Sequence, residues 1–192
     1  MNAVQIGFVV LVAIIVVGGI VAWSVMQRRR TERLTERYGP EYQRTVEATG
    51  DQREAERELE AREKRVEGLE IRQLSNEERD RYLASWKETQ ARFVDDPPGA
   101  ISQADGLVQD VMRARGYPMV DFEQRAADIS VDHPHVVEEY RAAHAIAEKD
   151  VAGGVETEDL RRGMVHYRAL FDDLLETDAS TSERELEAGG VR

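Results

Sequence analysis

The sequence predicts an all-α protein: an N-terminal transmembrane helix, a charged helical spacer and an antiparallel helical bundle of about five helices. Residues 4–26 are uncharged and almost wholly apolar, and residues 41–73 are rich in Glu, Arg, Gln and Ala. Beyond residue 75, apolar residues recur at helical spacing, and no stretch alternates well enough to be a strand. The predicted parts are an anchor, a spacer, a bundle domain and a disordered acidic tail: residues 1–27, 28–74, 75–176 and 177–192.

The anchor is predicted from its length and its flanking charges. At about 1.5 Å per residue, a helix over residues 4–26 spans a hydrocarbon core of roughly 30 Å. Arg28, Arg29 and Arg30 follow it, and no Lys or Arg precedes it. The positive-inside rule therefore predicts an outside N-terminus and a cytoplasmic C-terminal domain. A cleaved signal peptide, the alternative, would have a charged segment before a shorter apolar stretch.

Composition excludes several classes of chemistry. The chain has no Cys, which excludes disulfides, thiolate metal sites and a Cys nucleophile. Its formal net charge is −12, and the only dense basic cluster adjoins the predicted membrane span. A nucleic-acid binder normally carries a basic patch on its folded domain, so no nucleic-acid partner is predicted.

The spacer is predicted to be a solvated helix. Tyr38-Gly39-Pro40 breaks the helix that leaves the membrane, because proline disfavours helical conformation at the preceding residue. Glu58 and Arg62 then lie four residues apart in the favourable order, as charged pairs on a solvated helix do. The alternative is a short coiled-coil surface through Leu59 and Val66, which would pair two copies of the chain into a homo-oligomer.

The predicted bundle begins at a capping box, in which Ser75 caps the first helix and Glu78 stands three residues later. Asp96 caps a second helix that ends near Gly116, and Asp121 caps a third that runs through Ile129. Asp132 is expected to cap a fourth helix, with Pro134 in its first turn, and Thr157 to cap the last. Inner positions of these helices are predicted to close the core: Trp86, Phe93, Leu107, Val111, Tyr140, Phe171 and Leu174.

Histidines are the main candidates for chemistry besides the carboxylates. His133 and His135, beside Asp132, are weak candidate ligands for Zn²⁺ or Fe²⁺, and His144 lies one turn before Glu148. This spacing matches no recognised metal motif, so helix-start and packing roles are the preferred interpretation. The sequence also lacks Gly-x-Ser-x-Gly and a P-loop, and it predicts no catalytic residue and no cofactor.

Short segments between residues 33 and 175 carry a family resemblance: residues 36–42, Trp86, and residues 90–97, 112–118, 122–128, 130–134 and 164–168. Through them the chain resembles a family of uncharacterised bacterial single-pass membrane proteins with an N-terminal anchor. The resemblance implies a bacterial source and an inner-membrane location, and it implies no activity. It also implies interaction surfaces at residues 113–117 and 128–134, with these candidates: Arg113, Arg115, Tyr117, Asp132 and His133.

These observations predict a non-enzymatic protein, tethered to the bilayer by residues 4–26, which binds an unidentified protein partner or scaffolds an envelope process. One alternative is a small-ligand or stress-sensing module with a pocket between bundle helices near Trp86, Tyr140 and Tyr167. Another is a metal-dependent enzyme that uses His133 and His135.

Overall fold

A computed structural model describes the backbone of residues 3–151 and 154–189 and the side chains of residues 16–151 and 154–175. Regular structure within these ranges is entirely helical, which confirms the predicted all-α class. The helices are α1 (Ala3–Tyr38), α2 (Pro40–Thr49), α3 (Gln52–Glu67), α4 (Asn76–Arg92), α5 (Pro97–Arg115), α6 (Phe122–Asp132), α7 (Val137–Val151) and α8 (Thr157–Gly189).

The prediction of about five helices was too low, since the described part of the chain holds eight. Gly39 and Gly50 adopt positive φ angles of 52° and 71°, which divide the N-terminal region into α1, α2 and α3. A second boundary also differs, because α6 continues to Asp132 and α7 starts only at Val137. Asp132 therefore ends one helix and does not cap the next.

The predicted transmembrane helix falls on α1. Among the residues that the structure describes, no helix is long and apolar enough to cross a membrane, so these residues do not support the predicted span. The side chains of residues 4–15, which belong to that span, lie outside the described part. Between residues 16 and 26, α1 exposes its large apolar side chains, whereas Leu34 and Tyr38 further along the helix are fully buried. The exposed side chains are those of Val16, Val17, Ile20, Val21, Trp23, Val25 and Met26.

The chain divides into two compact units, Met1–Arg57 and Glu58–Arg192. In the first unit, the buried carboxylate of Glu56 joins α3 to α1 and α2. Its Oε1 accepts hydrogen bonds from the hydroxyls of Thr31 at 2.6 Å and Tyr42 at 3.2 Å and from the Gln52 amide at 3.1 Å. Burial raises the pKa of Glu56, but these donors and the charge of Arg30 outweigh it and hold that pKa below its usual value.

The second unit contains a continuous apolar core, in which α8 packs against α5 and α7 and α4 packs against α5. Trp86 stacks on Phe171 with ring centroids 4.8 Å apart. Of the predicted core residues, Leu107, Val111, Tyr140 and Leu174 are also buried, and Phe93 is partly buried against the same cluster. The helical periodicity of this region therefore predicted its inner faces correctly.

Three predicted helix starts are confirmed. Ser75 Oγ accepts from the Glu78 amide at 3.2 Å while Glu78 Oε2 accepts from the Ser75 amide at 2.9 Å, which completes the capping box. Asp96 accepts from the Gly99 amide at 3.0 Å, and Asp121 accepts from the Gln124 amide at 2.8 Å. Local hydrogen-bonding chemistry thus sets where α4, α5 and α6 begin.

The expectation of a solvated spacer was wrong for its inner face. Leu59 is fully buried, and Val66 and Leu74 are 7% and 5% exposed. Leu74 belongs to the core of the second unit, and the Arg72 amide donates to the Arg115 carbonyl at 2.8 Å. Packing in the second unit therefore begins well before Ser75. A few apolar side chains are enough to hold a mostly charged helix against the protein when a neighbouring surface covers them.

The predicted disordered tail overlaps the end of α8, which continues to Gly189. Residues 190–192, and the side chains from Glu176 onward, lie outside the described part. Disorder of residues 177–192 therefore stays a prediction.

Candidate interaction site

The first candidate site is a buried polar cluster where α5, α6 and α8 meet. His133 follows the last residue of α6, and its amide donates to the Ile129 carbonyl at 2.8 Å. Its imidazole is buried, with Nδ1 against the carboxylate of Asp173 on α8 and Nε2 3.4 Å from Nη1 of Arg115. A proton on Nδ1 donates to Asp173 and leaves Nε2 as an acceptor, an arrangement that satisfies both ring nitrogens.

Arg115 connects this cluster to the backbone of α8. Its side chain is buried near the end of α5, and Nη1 donates to the Leu174 carbonyl at 2.8 Å. The next residue, Gly116, has a φ of 101°, and a Cβ atom there would lie 2.5 Å from the Glu70 carbonyl oxygen. Glycine is therefore required at this turn both by its backbone angle and by the close passage of the chain before α4.

Tyr117 and Asp132 form the edge of the same cluster. The Tyr117 hydroxyl donates to Oδ2 of Asp132 at 2.8 Å. Tyr117 is 4% exposed, and burial together with the adjacent carboxylate raises the pKa of its phenol. This bond occupies the carboxylate of Asp132, an exposed residue at the end of α6, which does not cap α7.

The structure brings together four of the five predicted interaction residues, namely Arg115, Tyr117, Asp132 and His133. Arg113 lies apart on the surface, where it pairs with Asp110. His135 is exposed and does not join His133. Among the described residues, no group of three or more His, Asp and Glu side chains could hold a metal ion.

Asp128 is a buried charged residue at the start of the predicted surface of residues 128–134, and it was not among the five candidate residues named there. Its Oδ1 accepts from Arg65 Nε at 2.7 Å and from Gln124 Nε2 at 2.8 Å. In the described part of the chain, its Oδ2 is buried with no hydrogen-bond partner. Gln124 lies one turn before Asp128, so its spacing in the sequence could have identified it as a donor to that carboxylate. Arg65 is 63 positions away, and no spacing in the sequence could have identified it as the second donor.

Several cavities lie in the described part of the chain. One of about 400 Å³ lies between α1 and the start of α3, beside Trp23. Another of about 300 Å³ is lined by Arg62, Arg65 and Arg141 with the acidic residues Glu58 and Glu123. A smaller cavity of about 160 Å³ lies beside His144, whose ring stacks on Phe122 with the ring centroids 3.7 Å apart.

None of these three cavities is lined by Trp86, Tyr140 or Tyr167, around which a ligand pocket was expected. All three rings are buried in the core, and the Tyr167 hydroxyl donates to Asp105 at 2.8 Å. Arg125 Nε donates to the Tyr140 hydroxyl at 3.3 Å, whereas Trp86 Nε1 is buried with no hydrogen-bond partner among the described residues. The faces of these rings are thus used in packing, as is usual for buried aromatic residues.

The polar cluster can hold helices together and can orient an imidazole. An imidazole next to a carboxylate can act as a general base when substrate reaches it. His133 is only 3% exposed, so its ring is covered by the protein. The arrangement therefore favours a structural role for His133 and leaves Arg113 and Asp132 as the exposed members of the predicted set.

No protein-family model, no curated protein and no solved structure matches this chain significantly. Its function is therefore argued from its own residues.

Proposed function

We propose that the protein is a non-enzymatic, membrane-tethered interaction protein of the bacterial inner membrane, with residues 4–26 in the bilayer and its second unit in the cytoplasm. The charge asymmetry around residues 4–26 carries this proposal. Residues 1–3 contain no Lys or Arg, whereas Arg28, Arg29 and Arg30 follow the stretch. Such an asymmetry retains the basic side of a single span in the cytoplasm.

The form of α1 supports a tether. The helix continues without a break from the apolar stretch into the basic segment and ends at Tyr38. Glu56 then joins α3 to this same helix through Thr31 and Arg30. A hydrogen-bonded junction of this kind gives the chain an ordered exit from the bilayer.

The burial of the polar cluster supports binding over catalysis. His133 and Arg115 are 3% and 5% exposed, so a substrate would need local opening to reach them. Asp132 remains exposed at the edge of the cluster, Arg113 is exposed apart from it, and both are accessible to a protein partner. A surface supported by a rigid buried network is suited to recognition, because little ordering is required on binding.

The tether can be tested by accessibility labelling, for which the natural absence of Cys gives a clean background. The full chain carrying Asn2→Cys or Arg81→Cys is expressed in bacteria and treated with a membrane-impermeant maleimide. We expect labelling at position 2 in intact spheroplasts and labelling at position 81 only after lysis. We also expect the chain to stay in membranes washed with alkaline carbonate.

Labelling of position 81 in intact spheroplasts would contradict the proposed orientation, and release by carbonate would contradict the tether. Reversing Arg28, Arg29 and Arg30 to Glu should make orientation mixed, because it removes the main orienting charges. The same reversal at exposed Arg161 and Arg162, far along the chain, is the matched control and should leave orientation unchanged.

The interaction role is tested with a photo-crosslinking amino acid at position 113, an exposed member of the predicted interaction set, and at exposed Lys87 as a control. A protein captured from position 113 and not from position 87 supports a specific surface. Equal capture of the same proteins from both positions would contradict it.

A further inference from the structure

We propose that the first unit binds the headgroup of an aminophospholipid, which has a primary ammonium and a phosphodiester, in the cavity beside Trp23. This inference rests on the proposed membrane tether. The cavity has a volume of about 400 Å³, within the usual range of small-ligand sites. Its lining includes Trp23 and Thr31 from α1 and, at the start of α3, Asp51, Gln52, Arg53 and Glu56.

The position of the cavity along α1 matches the depth of lipid headgroups. Trp23 lies near the end of the apolar stretch, and Arg28 begins the basic segment that follows. Tryptophan is enriched at this level of a bilayer, where an apolar ring and a polar edge are both accommodated. In the proposed topology, the cavity therefore opens among headgroups of the cytoplasmic leaflet.

The cavity offers a positively charged side chain, Arg53, to a phosphate. The guanidinium carbon of Arg53 lies 5.6 Å from the centroid of the Trp23 ring, within the range of a cation–π contact. This contact holds the side chain at the cavity while its N–H groups remain able to donate. Guanidinium groups bind phosphate oxygens through paired, charge-assisted hydrogen bonds. The first turn of α3, to which Arg53 belongs, adds the favourable end of a helix dipole for an anion.

The cavity also offers a carboxylate, that of Asp51, to an ammonium group. Asp51 caps α3 through Oδ1, which accepts from the Glu54 amide at 2.8 Å. Its other oxygen is available to a donor, and the residue is exposed. A primary ammonium has three N–H donors, whereas a trimethylated ammonium has none. Asp51 therefore distinguishes ethanolamine-type from choline-type headgroups.

The balance of charge in the lining favours a zwitterionic headgroup over a purely anionic one. The charge of Glu56 is paired with Arg30, whose Nε lies 3.5 Å from Oε2, so Asp51 and Arg53 are the carboxylate and the guanidinium of the lining that face a ligand. A phosphodiester without an ammonium would contact Arg53 but would also face the like charge of Asp51, although the arginines after residue 27 attract anionic lipid in general. Glu56 also fixes Thr31 and Gln52 through hydrogen bonds at 2.6 and 3.1 Å, so this wall is ordered before a ligand arrives.

The test measures lipid binding to the full chain in detergent micelles by native mass spectrometry and by tryptophan fluorescence. The probes are phosphatidylethanolamine, phosphatidylcholine and phosphatidylglycerol with identical acyl chains. Trp86 is buried in the second unit, so a lipid-dependent fluorescence change should come from Trp23 and be lost in Trp23→Phe. We expect phosphatidylethanolamine to bind about tenfold more tightly than the other two lipids, a difference of one charge-assisted contact.

Two variants and a matched control test the assigned residues. Asp51→Asn keeps a capping side chain and removes the charge, and Arg53→Ala removes the guanidinium; each should lower affinity for phosphatidylethanolamine about tenfold. Arg57→Ala, one turn further along α3, removes the same charge outside the cavity and should change affinity by less than about twofold. Equal binding of the three lipids, or equal effects of Arg53→Ala and Arg57→Ala, would overturn the site.

Two further results separate the possible causes of failure. Free phosphoethanolamine should compete only weakly with the lipid, and competition at equal concentration would show a soluble ligand and overturn the lipid assignment. If the chain stays in carbonate-washed membranes but shows no headgroup preference, the headgroup site alone fails. If carbonate releases the chain, the tether fails and the lipid site that rests on it fails as well.

Discussion

Arg65 on α3 and Asp128 on α6 form a charged pair, with Nε donating to Oδ1 at 2.7 Å and Nη2 also 2.7 Å from that oxygen. The Asp128 side chain is 1% exposed, whereas the Arg65 side chain is 39% exposed. The two partners therefore differ in what their removal leaves behind. Loss of Arg65 leaves a buried carboxylate without its cation, while loss of Asp128 leaves a guanidinium that water can reach.

Arg65→Ala should accordingly lower the free energy of unfolding by about 3 kcal/mol, more than Asp128→Asn does. Adding Asp128→Ala to Arg65→Ala should restore part of the loss, because the double variant has no unpaired charge. Urea unfolding of residues 28–192 measures these differences. Lys64→Ala, an exposed neighbour, is the control and should stay within about 0.5 kcal/mol. A smaller cost for Arg65→Ala than for Asp128→Asn would contradict the pairing described here.

Arg113 and Arg115 make a matched test of which predicted residues serve stability. Arg115 is 5% exposed and donates to the Leu174 carbonyl, so Arg115→Ala removes a buried charge-assisted hydrogen bond and should cost about 2 to 4 kcal/mol. The Arg113 side chain is 57% exposed, and Arg113→Ala should cost less than about 0.5 kcal/mol. Urea unfolding measures both. Equal costs would show that the buried cluster contributes little to stability.

Local chemistry explains what the sequence could predict. Capping at Ser75, Asp96 and Asp121 involves residues three positions apart, and the inner faces of α4, α5, α7 and α8 follow the helical period. These features depend on residues that are close together in the sequence, so they can be predicted without knowledge of the fold.

The remaining features depend on residues that are distant in sequence. His133 meets Asp173 from 40 positions away, and Arg115 meets Leu174 from 59. The resemblance grouped Arg115, Tyr117, Asp132 and His133 as interaction residues, but only folding shows that most of them are buried. The prediction of a solvated spacer was wrong for a related reason. The few apolar positions of the spacer do not show, in the sequence alone, whether another surface covers them.

The stability of a Leu59 variant distinguishes a solvated spacer from a spacer whose inner face is buried. A solvated spacer predicts a cost below about 1 kcal/mol for Leu59→Ala. Since the side chain is fully buried, we now expect about 2 to 5 kcal/mol from lost burial and a residual cavity. Leu83→Ala, at a side chain that is 37% exposed, should cost clearly less under the same urea unfolding conditions. If the two variants are equally stable, α3 is not packed as described.

Glu56 should make the stability of the first unit depend on pH. Its pKa is lower in the folded chain than in the unfolded chain, so the unfolded state binds the proton more readily. Its stabilising contribution is therefore complete above the unfolded value of about 4.3 and is lost as the pH falls through the folded value.

Glu56→Gln tests this dependence. The variant should be less stable than the wild-type chain by about 1 to 3 kcal/mol at pH 7, because it loses charged hydrogen bonds. The difference should shrink as the pH falls below about 4.3, because Glu56 is then protonated in the unfolded wild-type chain before it is protonated in the folded chain, where its pKa is lower. Urea unfolding at a series of pH values measures it, with Glu47→Gln as an exposed control in the same unit. A difference that stays constant from pH 7 to pH 3 would contradict the assigned role.

The start of the second unit can be tested with two fragments. A fragment over residues 58–192 contains the whole unit, whereas a fragment over residues 75–192 lacks Arg65, Arg72 and Leu74. Without these residues, Asp128 loses its cation, the Arg115 carbonyl loses the Arg72 amide, and part of the core loses the cover of Leu74.

We therefore expect the fragment over residues 58–192 to unfold in one cooperative transition and the shorter fragment to lose about 4 kcal/mol or more. That loss approaches the whole stability of a small domain, so a broad, weakly cooperative melt is the expected result for the shorter fragment. Calorimetry and far-ultraviolet circular dichroism measure both. Arg65→Ala in the longer fragment should reproduce part of the loss, since it removes one of the same contacts without shortening the chain. Equal stability of the two fragments would place the start of the folded unit at Ser75, as the sequence first indicated, and would leave α3 outside it.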